Sequence, residues 1–85
     1  MSTAVEVKRL VKFDGEGSLR AFCDLAIGEQ VLVKGVRVVK GRHGLFVSMP
    51  REQGKDHKWY DSVTLLTDET KTAVTRVVLE AYQQP

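Results

Sequence analysis

Alternation of apolar and polar residues runs through the first half of the chain and predicts β-strands. Residues 18–27 alternate most cleanly and place one set of apolar residues on a common face: Leu19, Ala21, Cys23, Leu25 and Ile27. Residues 4–13 alternate less regularly, with Val5, Val7, Val11 and Phe13 predicted to share a face. Successive side chains of a strand point to opposite sides, so a half-polar alternation indicates antiparallel strands that are covered on one side only.

The run from Val31 to Pro50 predicts a β-hairpin. Residues 31–39 are rich in β-branched side chains, residues 45–49 are mostly apolar, and the segment Lys40–Gly44 between them has glycine near both ends of its turn. Glycine reaches positive φ without steric cost and therefore favours a tight turn between strands. Gly28-Glu29 and residues 14–17 are predicted turns as well, and Pro50 is expected to end strand pairing because it lacks an N–H donor.

The second half of the chain predicts a loop followed by a helix. Residues 51–58 are polar and are expected to form a mobile loop, and residues 62–66 are expected to be irregular or extended. Trp59-Tyr60 fits a short strand or an aromatic plug, and we assign Trp59 to the core. Thr67 is a suitable N-cap, followed by acidic residues in the first helical turn. An apolar stripe at helical spacing comprises Val74, Val77, Val78, Ala81 and Tyr82, and Leu79 is predicted to point away from it.

These elements predict a single α+β domain spanning residues 1–85. Its architecture is a four- to five-stranded, mainly antiparallel sheet with one C-terminal helix packed on one face. A chain of 85 residues with a single cysteine has a small core and no internal disulfide to reinforce it. One helix leaves part of the sheet and its edge strands open, so we expect a homodimer.

Several function classes find no support in the sequence. Cys23 lies on the predicted inward face, and His43 and His57 lie in predicted loops without an evident catalytic partner. No nucleophile elbow, phosphate-binding loop or zinc-protease motif occurs, so we predict neither an enzyme nor a small-molecule substrate, metal site or cofactor. No apolar run is long enough to span a membrane, and one cysteine fits a reducing compartment, so we expect a cytoplasmic protein without a membrane partner.

The distribution of charge points to an anionic partner. The overall net charge is only +2, but Lys34–Lys58 contains seven basic and two acidic residues, a net charge of +5. Phosphate contacts need accessible cations, and the foremost candidates are Lys40, Arg42 and Arg51, followed by Arg37, Lys55 and Lys58. Tyr60, Trp59 or His43 could stack on an unpaired base. The alternative interpretation of these basic residues is a solvated surface that binds no partner. The competing function is a protein-binding adaptor that uses Leu79 and Phe22.

The hairpin also resembles a known family. Val36-Arg37-Val38 and the run Gly44–Pro50, Gly-Leu-Phe-Val-Ser-Met-Pro, are similar to the signature of the SpoVG family, the stage V sporulation and septation proteins. Asp61 after an aromatic residue, and Val78-Leu79 with Tyr82, extend the resemblance from about Val5 to Tyr82.

The resemblance implies a small dimeric bacterial protein that binds DNA or RNA and regulates septation, sporulation or virulence genes. It implies that the turn Lys40–Gly44 and the segment after Pro50 face the nucleic acid. The chain departs from the family pattern at Arg51-Glu52-Gln53, where many members carry a basic pair, and at Val63-Thr64-Leu65, where they carry His-Pro. Many relatives also continue into a basic tail beyond the position of Pro85, so we expect weaker binding here if that tail adds affinity.

Overall fold

The described part of the chain forms six strands and one helix, which confirms the α+β prediction. The computed structural model describes residues 4–13 and 15–84. Its elements are β1 (Val5–Lys12), β2 (Leu19–Ile27), β3 (Val31–Gly41), β4 (Gly44–Ser48), β5 (Arg51–Gln53), β6 (Trp59–Asp61) and α1 (Asp68–Gln83). Strands β1 to β4 form an antiparallel meander in the order β1-β2-β3-β4, and β5 pairs with β6 in a separate two-stranded sheet.

A β-bulge in β1 corrects the predicted face of that strand. Val7 pairs with Leu25 but Arg9 pairs with Asp24, so Lys8 is an extra residue in the ladder. One extra residue reverses the alternation from that point onward. Leu10 consequently packs against the core. Val11 was predicted to share the face of Val5 and Val7, but it lies on the other side of the sheet and is 41% exposed. The placement of Val11 on the core face was therefore wrong.

The two predicted tight turns are confirmed. Gly28 and Glu29 have φ angles of 64° and 60°, and the N–H of Gln30 donates to the carbonyl of Ile27, which is the geometry of a type I′ turn between β2 and β3. Strand β3 runs further than expected, to Gly41, and only Arg42 and His43 connect it to β4. Gly44 begins β4 with a φ angle of 118°, a conformation that a residue with a side chain rarely adopts. The predicted turn at residues 14–17 includes Asp14, which lies outside the described residues.

The core lies between the inner face of the four-stranded sheet and α1. Its buried members on the sheet are Ala21, Cys23, Leu25, Val33, Val36 and Val38, and on the helix they are Val74 and Val78. Thr67 is the N-cap, as predicted, because its side-chain oxygen accepts a hydrogen bond from the N–H of Thr70. Leu79 is half-buried and packs against this core together with Tyr82, so its predicted outward orientation was wrong. The face of the helix that packs on the sheet therefore lies closer to Leu79 than the apolar stripe predicted from the sequence does.

Residues 51–61 form a second hairpin, which corrects two further predictions. Strands β5 and β6 pair in the register Arg51 with Asp61, Glu52 with Tyr60, and Gln53 with Trp59. The segment 51–58 is therefore strand and turn rather than a mobile loop. Trp59 was assigned to the core, yet its residue surface is 56% exposed because both strands of this small hairpin lie outside the main sheet. The irregular segment at residues 62–66 is as predicted.

Candidate nucleic-acid interface

Arg37 occupies the middle of the uncovered outer face of the main sheet. The register aligns Val11 with Phe22, Phe22 with Arg37, and Arg37 with Ser48, so these four side chains form one row across all four strands. The guanidinium carbon of Arg37 lies 5.4 Å from the centroid of the Phe22 ring, within the range of a cation–π contact. This contact holds the cation in place on the sheet surface.

The β5–β6 hairpin brings a second arginine and an indole to the same place. Arg37, Ser48, Met49, Arg51 and Trp59 line one pocket of about 220 Å³. Directly paired residues of an antiparallel ladder project to the same side, so Arg51 and Trp59 share one face of the hairpin as diagonal neighbours. We call this group of five residues the Arg–Trp pocket. It joins residues from β3, from β4 and its continuation, and from both strands of the small hairpin.

The charge of the Arg–Trp pocket is partly balanced by one carboxylate. Nε of Arg51 lies 3.2 Å from Oδ1 of Asp61, and both side chains are more than half exposed. An exposed ion pair of this kind is worth about 0–1 kcal/mol, because water screens both charges. The pair uses only Nε, so the other N–H groups of Arg51 remain available to a phosphate, although Asp61 repels an approaching anion.

The remaining predicted cations lie at the ends of the two hairpins and outside the Arg–Trp pocket. Lys40 alternates onto the same side of β3 as Val36 and Val38, which is opposite to Arg37. Arg42 is exposed in the β3–β4 turn, next to His43. Lys55 and Lys58 are exposed in the β5–β6 turn. The six basic residues thus fall into three groups, of which only Arg37 and Arg51 meet at one pocket.

Hydrogen bonds within the β5–β6 turn fix the shape of the small hairpin. The phenol of Tyr60 donates to Oδ2 of Asp56 at 2.5 Å, and the N–H of Lys58 donates to Oδ1 at 3.1 Å. These bonds favour the charged carboxylate and hold the pKa of Asp56 below its usual value, and the bond to Asp56 raises the pKa of Tyr60. A Cβ at Gly54 would lie 2.8 Å from the Tyr60 ring, so the ring needs glycine at this position.

The other candidate residues take structural positions. Cys23 is buried, and desolvation, with a smaller effect of the Asp24 charge, raises the pKa of its thiol to about 11. Phe22 is half-buried, with its ring packed edge-to-face against Phe13 at 5.2 Å between centroids. Within residues 4–13 and 15–84 no cluster of three potential metal ligands occurs. In the same residues no helix is long and apolar enough to cross a membrane. A role of Phe22 or Leu79 in binding a partner stays a prediction.

Sequence reasoning proposed both arginines but missed how they are grouped. Trp59 was named as a possible stacking residue, yet a large aromatic residue is usually buried and the core was the favoured assignment. A signal was present in the chain: a short polar loop that contains Gly54 separates Arg51–Gln53 from the strand-favouring pair Trp59-Tyr60, which is compatible with a hairpin. Pairing residues 51–53 with 59–61 would have placed Trp59 on the same face as Arg51.

Comparison with known proteins gives a consistent result over almost the whole chain. The model of the SpoVG family matches residues 2–84. A protein of Archaeoglobus fulgidus named "Putative septation protein SpoVG" is 36% identical over 84 residues, which cover 99% of this chain and 98% of that protein. A protein of the same name from Lachnospira eligens is 30% identical, covering 96% and 90% of the two chains. "Putative septation protein SpoVG 2" of Listeria monocytogenes is 32% identical, covering 89% and 74%.

Proposed function

The chain belongs to the SpoVG family, and from this premise we propose that it is a homodimeric regulatory protein that binds DNA or RNA and has no catalytic chemistry of its own. The names of its relatives support a link to septation. The observation that carries nucleic-acid binding is the Arg–Trp pocket, where two guanidinium groups and an exposed indole from separate strands meet.

The chemistry of the Arg–Trp pocket suits a nucleic acid. A guanidinium presents several N–H donors in a planar fork that matches phosphate oxygens, and it keeps its charge at any physiological pH. An exposed aromatic ring offers a face on which any base can stack. Neither Arg37 nor Arg51 is buried, so both can reach a phosphate without first breaking the core.

The hairpin-end cations offer further phosphate contacts outside the Arg–Trp pocket. Lys40 and Arg42 at the end of the β3–β4 hairpin, and Lys55 and Lys58 in the β5–β6 turn, are exposed. Phosphate contacts of this kind set affinity and orientation but read no base, so binding through them is expected to be largely independent of sequence.

Dimerisation is proposed from the surfaces that the fold leaves open. Strands β1 and β4 are the edges of the main sheet, and no helix covers its outer face within the described residues. On the β1 side of that face the side chain of Val11 is exposed, away from the β4 side where the Arg–Trp pocket lies. A second copy at the β1 edge would cover this apolar surface and an open edge together and would leave the Arg–Trp pocket accessible. Sedimentation at micromolar concentration tests this proposal, and a monomer mass there would contradict it.

A charge-matched set of variants tests nucleic-acid binding. Gel-shift titrations would compare wild type with Arg37→Ala/Arg51→Ala, Lys40→Ala/Arg42→Ala and the control Lys8→Ala/Arg76→Ala. The control removes two exposed cations that pair with Glu6 and Glu80 elsewhere on the molecule. For each phosphate of duplex DNA that a variant no longer touches, the slope of log K against log salt should become shallower by about 0.9.

We expect both test variants to weaken binding to all sequences alike, and the control to bind as wild type does. Equal weakening in all three variants would mean that net charge alone attracts the nucleic acid. Unchanged binding in both test variants would refute the assignment of these residues.

A protein-binding adaptor is the weaker candidate. This alternative uses Leu79 and Phe22 as its exposed contact residues. Leu79 packs against the core, so the adaptor function loses one of these two residues.

A further inference from the structure

We propose that the Arg–Trp pocket is a single-nucleotide subsite specific for single-stranded nucleic acid. An unpaired base stacks on the indole of Trp59, and the phosphate beside it binds Arg37 and Arg51. This inference rests on the proposed function and goes further, because it predicts which strand form the protein prefers and which residue produces the preference.

The exposure of Trp59 is the first argument. Its residue surface is 56% exposed, and the described aromatic and cation–π contacts involve other rings. The register places Arg51 and Trp59 on one face of the β5–β6 hairpin and Tyr60 on the other. The indole therefore lies on the face of the guanidinium group and opposite to the Tyr60–Asp56 hydrogen bond.

The rigidity of the hairpin under Trp59 is the second argument. On the opposite face, Tyr60 packs closely over Gly54 and donates a hydrogen bond to Asp56. Across the turn, the side-chain amide of Gln53, the residue paired with Trp59, donates to the carbonyl of His57 at 3.2 Å. A ring on a braced hairpin loses little further freedom when a base stacks on it, which lowers the entropic cost of binding.

Each of the two arginines has one contact that orients it before any ligand arrives. The Phe22 ring lies beside the Arg37 guanidinium on the outer face of the sheet, and Asp61 pairs with Nε of Arg51. Arginine is planar and presents its donors as a preorganised fork, so orientation by one contact leaves the other N–H groups directed for a phosphate.

The size of the pocket favours a ligand with one aromatic ring system, such as a single base. Its volume of about 220 Å³ lies below the roughly 300–1,000 Å³ that is typical of sites for drug-sized ligands. Half-buried Ser48 and Met49 form part of the wall. The Ser48 hydroxyl, which makes one long contact of 3.5 Å to the carbonyl of Met49, has a lone pair to accept from a base edge. Bases of a duplex are stacked on each other and cannot enter, so the subsite selects an unpaired base.

The single tryptophan of the chain makes the test direct. Trp59 is the only source of indole fluorescence, so its emission would be recorded during titration with a mixed-sequence single-stranded DNA and with the same sequence as a duplex. We expect saturable quenching by the single strand and little change with the duplex. Anisotropy of the same DNA, labelled at one end, reports total binding in parallel.

Substitution separates stacking from phosphate contact. Trp59→Ala should weaken single-strand binding by about 5- to 150-fold, the range for alanine substitution of a residue that stacks on one base. Duplex affinity should change by less than about twofold. Trp59→Phe should retain most of the affinity. Phe46→Ala is the control, because Phe46 is similarly exposed but does not line the pocket.

The outcomes distinguish this inference from the proposed function. If wild type binds both strand forms by anisotropy and Trp59→Ala binds the single strand as tightly as wild type, the subsite is refuted while nucleic-acid binding stands. Equal weakening by Trp59→Ala and Phe46→Ala would also refute it. If wild type binds neither strand form at low salt, the proposed function fails, and the subsite fails with it.

Discussion

Neutralising Asp61 should tighten nucleic-acid binding rather than weaken it. Asp61 is the carboxylate paired with Arg51 at 3.2 Å, and it lies on the face of the hairpin that carries the proposed phosphate contact. Asp61→Asn keeps the size of the side chain and removes its charge. The pair is more than half exposed, so its removal should lower the free energy of unfolding by less than about 1 kcal/mol.

The size of the effect follows from the geometry. A phosphate bound to Arg51 would lie about 6 Å from the Asp61 carboxylate, since one guanidinium bridges the two at hydrogen-bond distance. At that separation two unit negative charges repel by about 0.7 kcal/mol in water. Screening at 0.1 M salt reduces this to about 0.4 kcal/mol. The dissociation constant of Asp61→Asn should therefore fall about twofold at 0.1 M salt and up to about threefold at lower salt.

The control variant has the same change in net charge. Glu6 pairs with Lys8 on β1, and the side-chain exposures of that pair, 51% for the base and 61% for the acid, equal those of Arg51 and Asp61. Anisotropy titrations of Asp61→Asn and Glu6→Gln against one labelled single strand should show tighter binding only for the first. Equal tightening in both would attribute the effect to net charge. Weaker binding of Asp61→Asn would refute the prediction, because the orientation of Arg51 by Asp61 would then outweigh the repulsion.

Three further predictions address the fold around this surface. Val78→Ala should lower the free energy of unfolding by about 2 kcal/mol and the melting temperature by about 8–16 °C, because Val78 is fully buried between helix and sheet; a thermal melt like that of wild type would contradict this packing. Tyr60→Phe should raise the pKa of Asp56 toward its ordinary value in an NMR titration, since the hydrogen bond that it removes stabilises the carboxylate. The depressed pKa means that this contribution to stability is present above the ordinary carboxyl pKa and disappears as the pH falls through the folded value. Cys23 should react slowly with thiol reagents at neutral pH and rapidly in denaturant, because burial raises its pKa to about 11; fast reaction of the native protein would show that β2 is accessible.

The parts of the fold that the sequence predicted are those with a clear local pattern. Ala21, Cys23 and Leu25 of β2 lie on the core face as predicted, although the register between β2 and β3 shifts twice. The β3–β4 hairpin, with β-branched residues in β3 and glycine at the turn, keeps one register throughout. In β1 the bulge at Lys8 reverses the alternation, and extra polar residues of this kind are hard to distinguish from a break in the strand. The face of Val11 was wrong for that reason.

The candidate site depended on tertiary packing that no local pattern contains. Arg37 and Arg51 were recognised individually as cations, but their meeting depends on how the chain continues past Pro50 into the second hairpin. Lys40 and Arg37, close in sequence, instead take opposite sides of β3. Trp59 was assigned to the core from its size, whereas the pairing of two three-residue strands keeps it on the surface.

The most direct test of nucleic-acid binding is an anisotropy titration of random single- and double-stranded DNA and RNA at two salt concentrations. The account predicts binding at low salt that weakens steeply as salt rises, with a log–log slope of about −0.7 per contacted phosphate for single strands and about −0.9 for duplex DNA. It also predicts that single strands bind more tightly than duplexes of the same sequence. Absence of binding to every form at the lower salt concentration, or binding that salt leaves unchanged, would contradict it.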